Sequence, residues 1–298
     1  MKKLKKLLTI GLAVIFMFSL TSCRYLAEQA SNRTFTIHFN ANGGEGEMEN
    51  LFVDKGQDGY LPKCQFVKDG YECLAWSTSA EGASLYGYIP NLKFWLPSSV
   101  KDGDTVELYA VWTTPGFSFR VEGVGFFESA TIANYTGTAK DIIVPAFTND
   151  HYLGSTWGCG PVWNIASGVF KNHTEIETVS NHPRDISSEV FYGCTSLKTM
   201  EARSGYVGNI GDKAFYNCSS LEGIVLHEDL CEEIGAEAFY NCTSIQKIVI
   251  PEGVEEIGKD AFYGWGEGQT IEFASHSENL FGEEWLNGCS ANIIWANE

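Results

Sequence analysis

Nine cysteines and six histidines are the side chains of this 298-residue chain best suited to chemistry, and their spacing limits what they can do. A thiolate attacks electrophiles or binds metal, two thiols form a disulfide, and an imidazole moves protons or ligates metal. Cys194, Cys218 and Cys242 lie 24 residues apart, at one position of a repeat. A free cysteine there behaves as a small buried hydrophobe, so this ladder reads as packing and not as bridges. Cys64 and Cys73 stand close together elsewhere, and the choice between a disulfide and two thiols stays open. Trp157-Gly-Cys159-Gly-Pro161 lacks the second cysteine that would resolve a mixed disulfide, and reads as a packed turn. The histidines show no metal-ligand spacing, and the acidic triplet His227-Glu228-Asp229 follows a repeat strand, where variable polar residues are expected. Gly-x-Ser-x-Gly, His-Glu-x-x-His, a phosphate loop and Cys-x-x-Cys are all missing. The expectation is therefore no catalytic residue, no metal site and no cofactor.

The elements that would carry these residues come from self-comparison of the chain. Phenylalanines at 170, 191, 215, 239 and 262 are separated by 21, 24, 24 and 23 residues. Around three of them the sequence nearly repeats: Ile186 to Leu197, Ile210 to Leu221 and Ile234 to Ile245. Each copy ends in an alternating stretch, Leu197 to Glu201, Leu221 to Leu226 or Ile245 to Ile250, which suits a half-buried strand. One such unit cannot bury its apolar face alone. Stacked units form parallel strands over a continuous core, with the phenylalanines as an internal spine.

The N-terminus carries a different message. Lys2, Lys3, Lys5 and Lys6 precede an apolar run from Leu7 to Leu20, short of the ~20 residues of a membrane span. The form is that of a secretory leader. It closes on Leu20-Thr21-Ser22-Cys23, which resembles the lipobox of bacterial lipoproteins. That resemblance implies cleavage before Cys23 and lipid attachment to it, hence an extracytoplasmic, surface-exposed protein whose only membrane contact is its lipid. The net charge of −18 argues against nucleic acid, and a 44% hydrophobic content is enough to fold.

Two further resemblances divide the remainder. The motif Ile-Gly-x-x-Ala-Phe-Tyr-Asn-Cys-(Ser/Thr)-Ser-(Leu/Ile)-x-x-Ile-x-(Leu/Ile) is similar to the BspA-like leucine-rich repeats of bacterial surface proteins, covering roughly Phe117 to Glu298. Residues Asn149 to Pro161 depart from that family, and Trp285 to Trp295 looks like a closing cap. Thr34-Phe-Thr-Ile-His-Phe39, Asn40-Ala-Asn-Gly-Gly44 and Val106-Glu-Leu-Tyr-Ala-Val-Trp112 resemble the internalin-type B-repeat, also called the Listeria–Bacteroides repeat. Cys73 stands where that family has an aromatic, and Ile89 to Asp104 is longer than its usual link.

The expected fold is mainly β with short helical turns, a small β-grasp-like module followed by a capped leucine-rich repeat solenoid. The expected boundaries are a leader over 1–23, a linker over 24–33, the module over 34–113 and the solenoid over 114–298. If Leu197, Met200 and Ala202 face inward, alternation turns Thr199, Glu201 and Arg203 outward. The same register adds Gly223, Val225 and His227, then Lys247 and Val249, then Thr270 and Glu272, with Thr178 and Ser180 upstream. These columns are the expected contact surface for a host or bacterial surface protein, as in an adhesin, and the module is expected to space them from the membrane. Two alternatives stand beside it: a purely structural envelope protein, and a glycan-handling accessory lipoprotein using Trp95, Trp157 and Trp163.

Overall fold

The computed structural model describes residues 35–53, 61–80, 101–122, 129–146, 162–274 and 283–296. Cys23, Trp95, Trp157 and the 149–161 segment lie outside them. The chain divides into two compact units, residues 1–66 with 75–110, and residues 67–74 with 111–298. The described residues are almost entirely strand and turn, with one short 3-10 turn at Glu283–Leu286.

The first unit holds most of a mixed sheet of β1 (Phe35–Asn40), β2 (Leu51–Val53), β3 (Glu72–Ser77) and β4 (Thr105–Thr113), in the order β2-β1-β4-β3. β1 pairs antiparallel with β2 and parallel with β4. Alternation along β1 buries Phe35, Ile37 and Phe39 and turns Thr36, His38 and Asn40 outward. Phe39 lies 4.7 Å from the ring of Trp76, which is fully buried and donates from its indole N–H to the Pro62 carbonyl at 3.0 Å. The Asn-Gly turn after β1 forms as its residue types require. Asn42 and Gly43 both take positive φ, and the Asn42 amide N–H donates to the Asn40 side chain.

The second unit opens with an antiparallel pair, β5 (Phe117–Glu122) and β6 (Ser129–Tyr135). Behind it come β7 (Asp141–Ile143), β8 (Val162–Ile165), β9 (Thr178–His182) and β10 (Thr199–Ala202). β11 (Glu233–Ile234), β12 (Lys247–Ile250), β13 (Glu256–Ile257), β14 (Thr270–Phe273) and β15 (Asn292–Trp295) complete it. Among the described residues, every strand pair of this unit after the opening hairpin is parallel, because each turn of the chain lies on the one before it. Ile186, Ile210, Ile234 and Ile257 form a second ladder on the other side of the turns.

The repeat residues explain the stack. Phe170, Phe191, Phe215, Phe239 and Phe262 are all fully buried, with successive rings nearly parallel at 5.4 to 5.6 Å. Tyr192, Tyr216, Tyr240 and Tyr263 stack beside them at 4.6, 4.5 and 4.4 Å. The repeat glycine exists because the turns approach closely. A Cβ on Gly211, Gly235 or Gly258 would sit 2.3 to 2.5 Å from a backbone nitrogen of the preceding repeat. The spine is covered at both ends. Tyr135 and Phe117 pack on Phe170, and Trp285 packs on Phe262 and Phe273.

The cysteine ladder is buried and unbridged, as a packing role requires, and it has a second role that the spacing does not reveal. Cys194, Cys218 and Cys242 donate from sulfur to the carbonyls of Phe170, Phe191 and Phe215, at 2.9, 3.0 and 3.1 Å. In the next repeat Trp265 holds the same position and donates its indole N–H to the Phe239 carbonyl at 3.0 Å. The position therefore selects a donor as well as a volume.

One expected strand does not form. Residues Leu221 to Leu226 contain only an isolated bridge, Leu226 with Val207, so the strand face is two sheets, β10-β9-β7 and β12-β14-β15. The Glu222 N–H still reaches the Lys198 carbonyl. Beyond it stands Gly223, which brings no side chain to the sheet face and weakens a strand. On the preceding repeat the chain turns at Ala202 to Gly205, so Val207, and not Glu201, meets Val225 and His227.

Candidate functional site

The outward side chains of the solenoid strands form two rows. Strand pairing places Asp141, Thr178 and Thr199 in line, and Lys247, Thr270 and Asn292 in line beyond the sheet break. Asn292 joins through its pairing with Thr270. The second row runs Ile143 and Ser180 upstream, and Val249, Glu272 and Ile294 downstream. Glu201 is exposed at the upstream end of the break, where a bulge shifts the register between Met200 and Ala202. The structure thus brings the sequence-derived residues onto two sheets, with Val225 and His227 between them and outside either ladder.

Their environments differ. Thr178 donates to the Asp141 carboxylate at 2.7 Å, and Ser180 to the Ile142 carbonyl at 3.3 Å. Lys247 pairs with Glu272 at 2.6 Å across neighbouring strands. Val225, Val249 and Ile294 are 60%, 44% and 47% exposed, an apolar series among charges. His227 packs edge-on against Tyr206 at 5.4 Å, and its Nδ1 accepts the Asp229 N–H at 3.1 Å. Below the rows, Lys198 and Lys140 both contact Glu177, at 2.6 and 3.0 Å, and hold its carboxyl down at about 2.

Arg203 is outward by alternation, yet its guanidinium is tied to the scaffold. It donates to the Asn181 side chain at 2.9 Å and to the carbonyls of Val162, Asn181 and Pro145 at 3.2, 3.3 and 3.4 Å. These bonds span three earlier turns of the chain, and burial lowers the Arg203 pKa. Beside it, His182 is wholly buried, contacts the Pro183 carbonyl through Nδ1, and has no partner at Nε2.

Sequence reasoning missed Asp141, Tyr206, Asn292 and Ile294 on this face. The alternation in Asp141-Ile-Ile-Val144 and Asn292-Ile-Ile-Trp295 was the available signal for three of them. Tyr206 has no counterpart in the other repeats. Of the three tryptophans suggested for glycan, Trp163 is described, and it is 59% exposed on β8. Among the described residues no group of three His, Cys, Asp or Glu could hold a metal ion. Among them, too, no helix is long and apolar enough to cross a membrane.

Stacked parallel strands, a phenylalanine spine and outward rows at the repeat spacing define a leucine-rich repeat solenoid. Residues 163–292 match the BspA type leucine-rich repeat region in six copies, so this part of the chain is similar to that family. Three solved structures are similar. The Treponema pallidum leucine-rich repeat protein is 25% identical, with 62% of this chain and 83% of that one covered and a TM-score of 0.47. A leucine-rich cell surface protein of Faecalibacterium prausnitzii is 26% identical over 62% of this chain and 54% of that one, TM-score 0.48. A Bacteroides ovatus leucine-rich repeat protein is 21% identical over 52% and 39%, TM-score 0.44. The chain thus spans about half or less of the last two. No curated protein matches the chain.

Proposed function

We propose that this chain is a bacterial cell-surface binding protein, held to the membrane by lipid on Cys23, which recognises a protein ligand through the outward face of its solenoid. We assign it no enzymatic activity. The observation that carries the reading is the composition of the two rows. Exposed Val249 and Ile294 stand among the Lys247–Glu272 pair and the Thr270 hydroxyl on strands fixed by a continuous core, and Thr199, Glu201 and exposed Val225 adjoin them at the break between the sheets. Apolar side chains rimmed by charge on one face are the composition of a recognition surface. Thr178, Ser180 and His227 would extend the contact, and Arg203 would shape it from beneath. The first unit is assigned to the internalin-type B-repeats, as a spacer.

The test is capture of candidate host-matrix and bacterial surface proteins by the chain lacking residues 1–23. Saturable capture should be weakened by Glu201→Lys combined with Lys247→Glu, with no change in melting temperature. Unchanged capture by that variant would move the site elsewhere. The anchor is tested separately: metabolic labelling with a fatty-acid probe should mark the wild type and not Cys23→Ser.

A further inference from the structure

The outer face of the first unit carries polar chemistry that a spacer does not use. Thr36, His38 and Asn40 point away from the core along β1. Strand register sets Phe52 opposite Thr36, Glu107 opposite His38, and Tyr109 opposite Asn40. Directly opposed residues have Cβ atoms ~4.5–5.5 Å apart, so these side chains form one continuous patch. Glu107 lies at its centre. Its Oε1 accepts from the Asn40 amide at 2.9 Å and faces His38 Nδ1 at 3.5 Å, while its Oε2 accepts from the Tyr109 hydroxyl at 2.8 Å. The Asn40 bond, then the Tyr109 bond and His38, hold the Glu107 carboxyl below the usual carboxylate range. It is thus an oriented acceptor at neutral pH, and a carboxylate has about four acceptor sites, more than these partners fill. The His38 side chain is 50% exposed, that of Glu107 42%, and Phe52 at the sheet edge is 70% exposed.

The patch therefore offers an exposed phenyl ring on β2 and, across β1, an imidazole and a pre-oriented carboxylate. A ligand that presents an apolar C–H face together with hydroxyl donors, and carries no negative charge, fits this arrangement. We propose that this face binds a neutral saccharide unit, with the sugar ring lying on Phe52 and its hydroxyls donating to Glu107 and bonding to His38. An acidic sugar is disfavoured by Glu107 itself and by the chain's net charge of −18. The pairing of one apolar plate with a few placed polar groups is the usual logic of small-ligand recognition.

The proposal does not depend on the solenoid reading, and its test separates the two. The full chain is run through native gels containing galactomannan, xylan, mixed-linkage glucan or starch, and through one containing polygalacturonate. At least one neutral polysaccharide should retard it, and polygalacturonate should not. Phe52→Ala and Glu107→Gln should each weaken retardation at least tenfold, with Tyr109→Phe as a milder variant, and with unchanged melting temperatures. Val249→Ala in the solenoid should leave it intact. Retardation by no neutral polysaccharide, or full retardation of both Phe52→Ala and Glu107→Gln, overturns the assignment. Loss with Val249→Ala alone would place glycan binding on the solenoid instead.

Discussion

His182 gives this protein a measurable acid sensitivity. The residue ends β9 with no solvent exposure, its ring 5.5 Å from Phe191 and its Nε2 without a hydrogen-bond partner. Burial lowers its pKa from 6.5 to about 4, against the upward pull of the Pro183 carbonyl, while Arg203 adds a lesser downward effect and Asp185 a lesser upward one. The sign follows from proton counting. Between pH 6.5 and about 4 the unfolded chain takes up a proton at this histidine and the folded chain does not, so stability falls as pH falls. The slope approaches 1.4 kcal/mol per pH unit, which gives a loss of about 2 kcal/mol by pH 5 and about 3 kcal/mol over the whole window. Carboxylates held low by partners, such as Glu177 at about 2, act mainly below the ordinary carboxylate range near 4.5, and what they and Glu72 contribute above pH 5 is common to a variant that changes only the histidine. The comparison is urea unfolding of the wild type and of His182→Phe, whose ring keeps the contact with Phe191 and cannot titrate. The wild type should lose about 2 kcal/mol more than the variant between pH 7.5 and 5. Parallel loss in the two proteins would refute the argument.

Three other outcomes test the packing. Phe239→Ala removes a fully buried ring stacked on both sides and should cost about 3–5 kcal/mol, read as a lower urea midpoint. An unchanged midpoint would mean that the spine is not a shared core. Gly235→Ala should destabilise by about 1–3 kcal/mol, because its Cβ would fall 2.5 Å from the Asp212 nitrogen, whereas Ala at Gly223 meets nothing within 4 Å and should be neutral. Equal melting temperatures for the two variants would contradict the close approach. Burial raises the Cys194 thiol to about 12 and pushes Cys218 and Cys242 up as well, so iodoacetamide at pH 8 should label these cysteines only after unfolding. Mass spectrometry of the folded protein after alkylation decides the matter, and rapid labelling at any of the three would disprove their burial.

Much of the candidate site was legible because strands alternate. Once Met200, Ile248 and Ile271 are assigned inward, Thr199, Lys247, Val249, Thr270 and Glu272 must face outward, and they do. Arg203 follows the same rule and yet spends its guanidinium on Pro145, Val162 and Asn181, partners 22 to 58 residues away that no local pattern marks. Alternation puts Val225 and His227 in a strand column, and that column stops before reaching them. The alternation of Leu221 to Leu226 is real, but a strand forms only where a neighbour is aligned to bond it.

The repeat and its contents are legible from residue order alone. Residues one period apart meet their own equivalents in a stack, so the 24-residue spacing specifies the phenylalanine spine and its close-approach glycines without reference to anything distant. The tertiary structure alone decided where the sheet breaks, which outward side chains stay available, and that His182 is sealed with one nitrogen unbonded. Those outcomes depend on how non-identical neighbouring turns fit together. A missing side chain at Gly223 and a bulge beside Asn181 change the bonding of the adjacent turn, and a periodic pattern read along one chain holds no record of that contact.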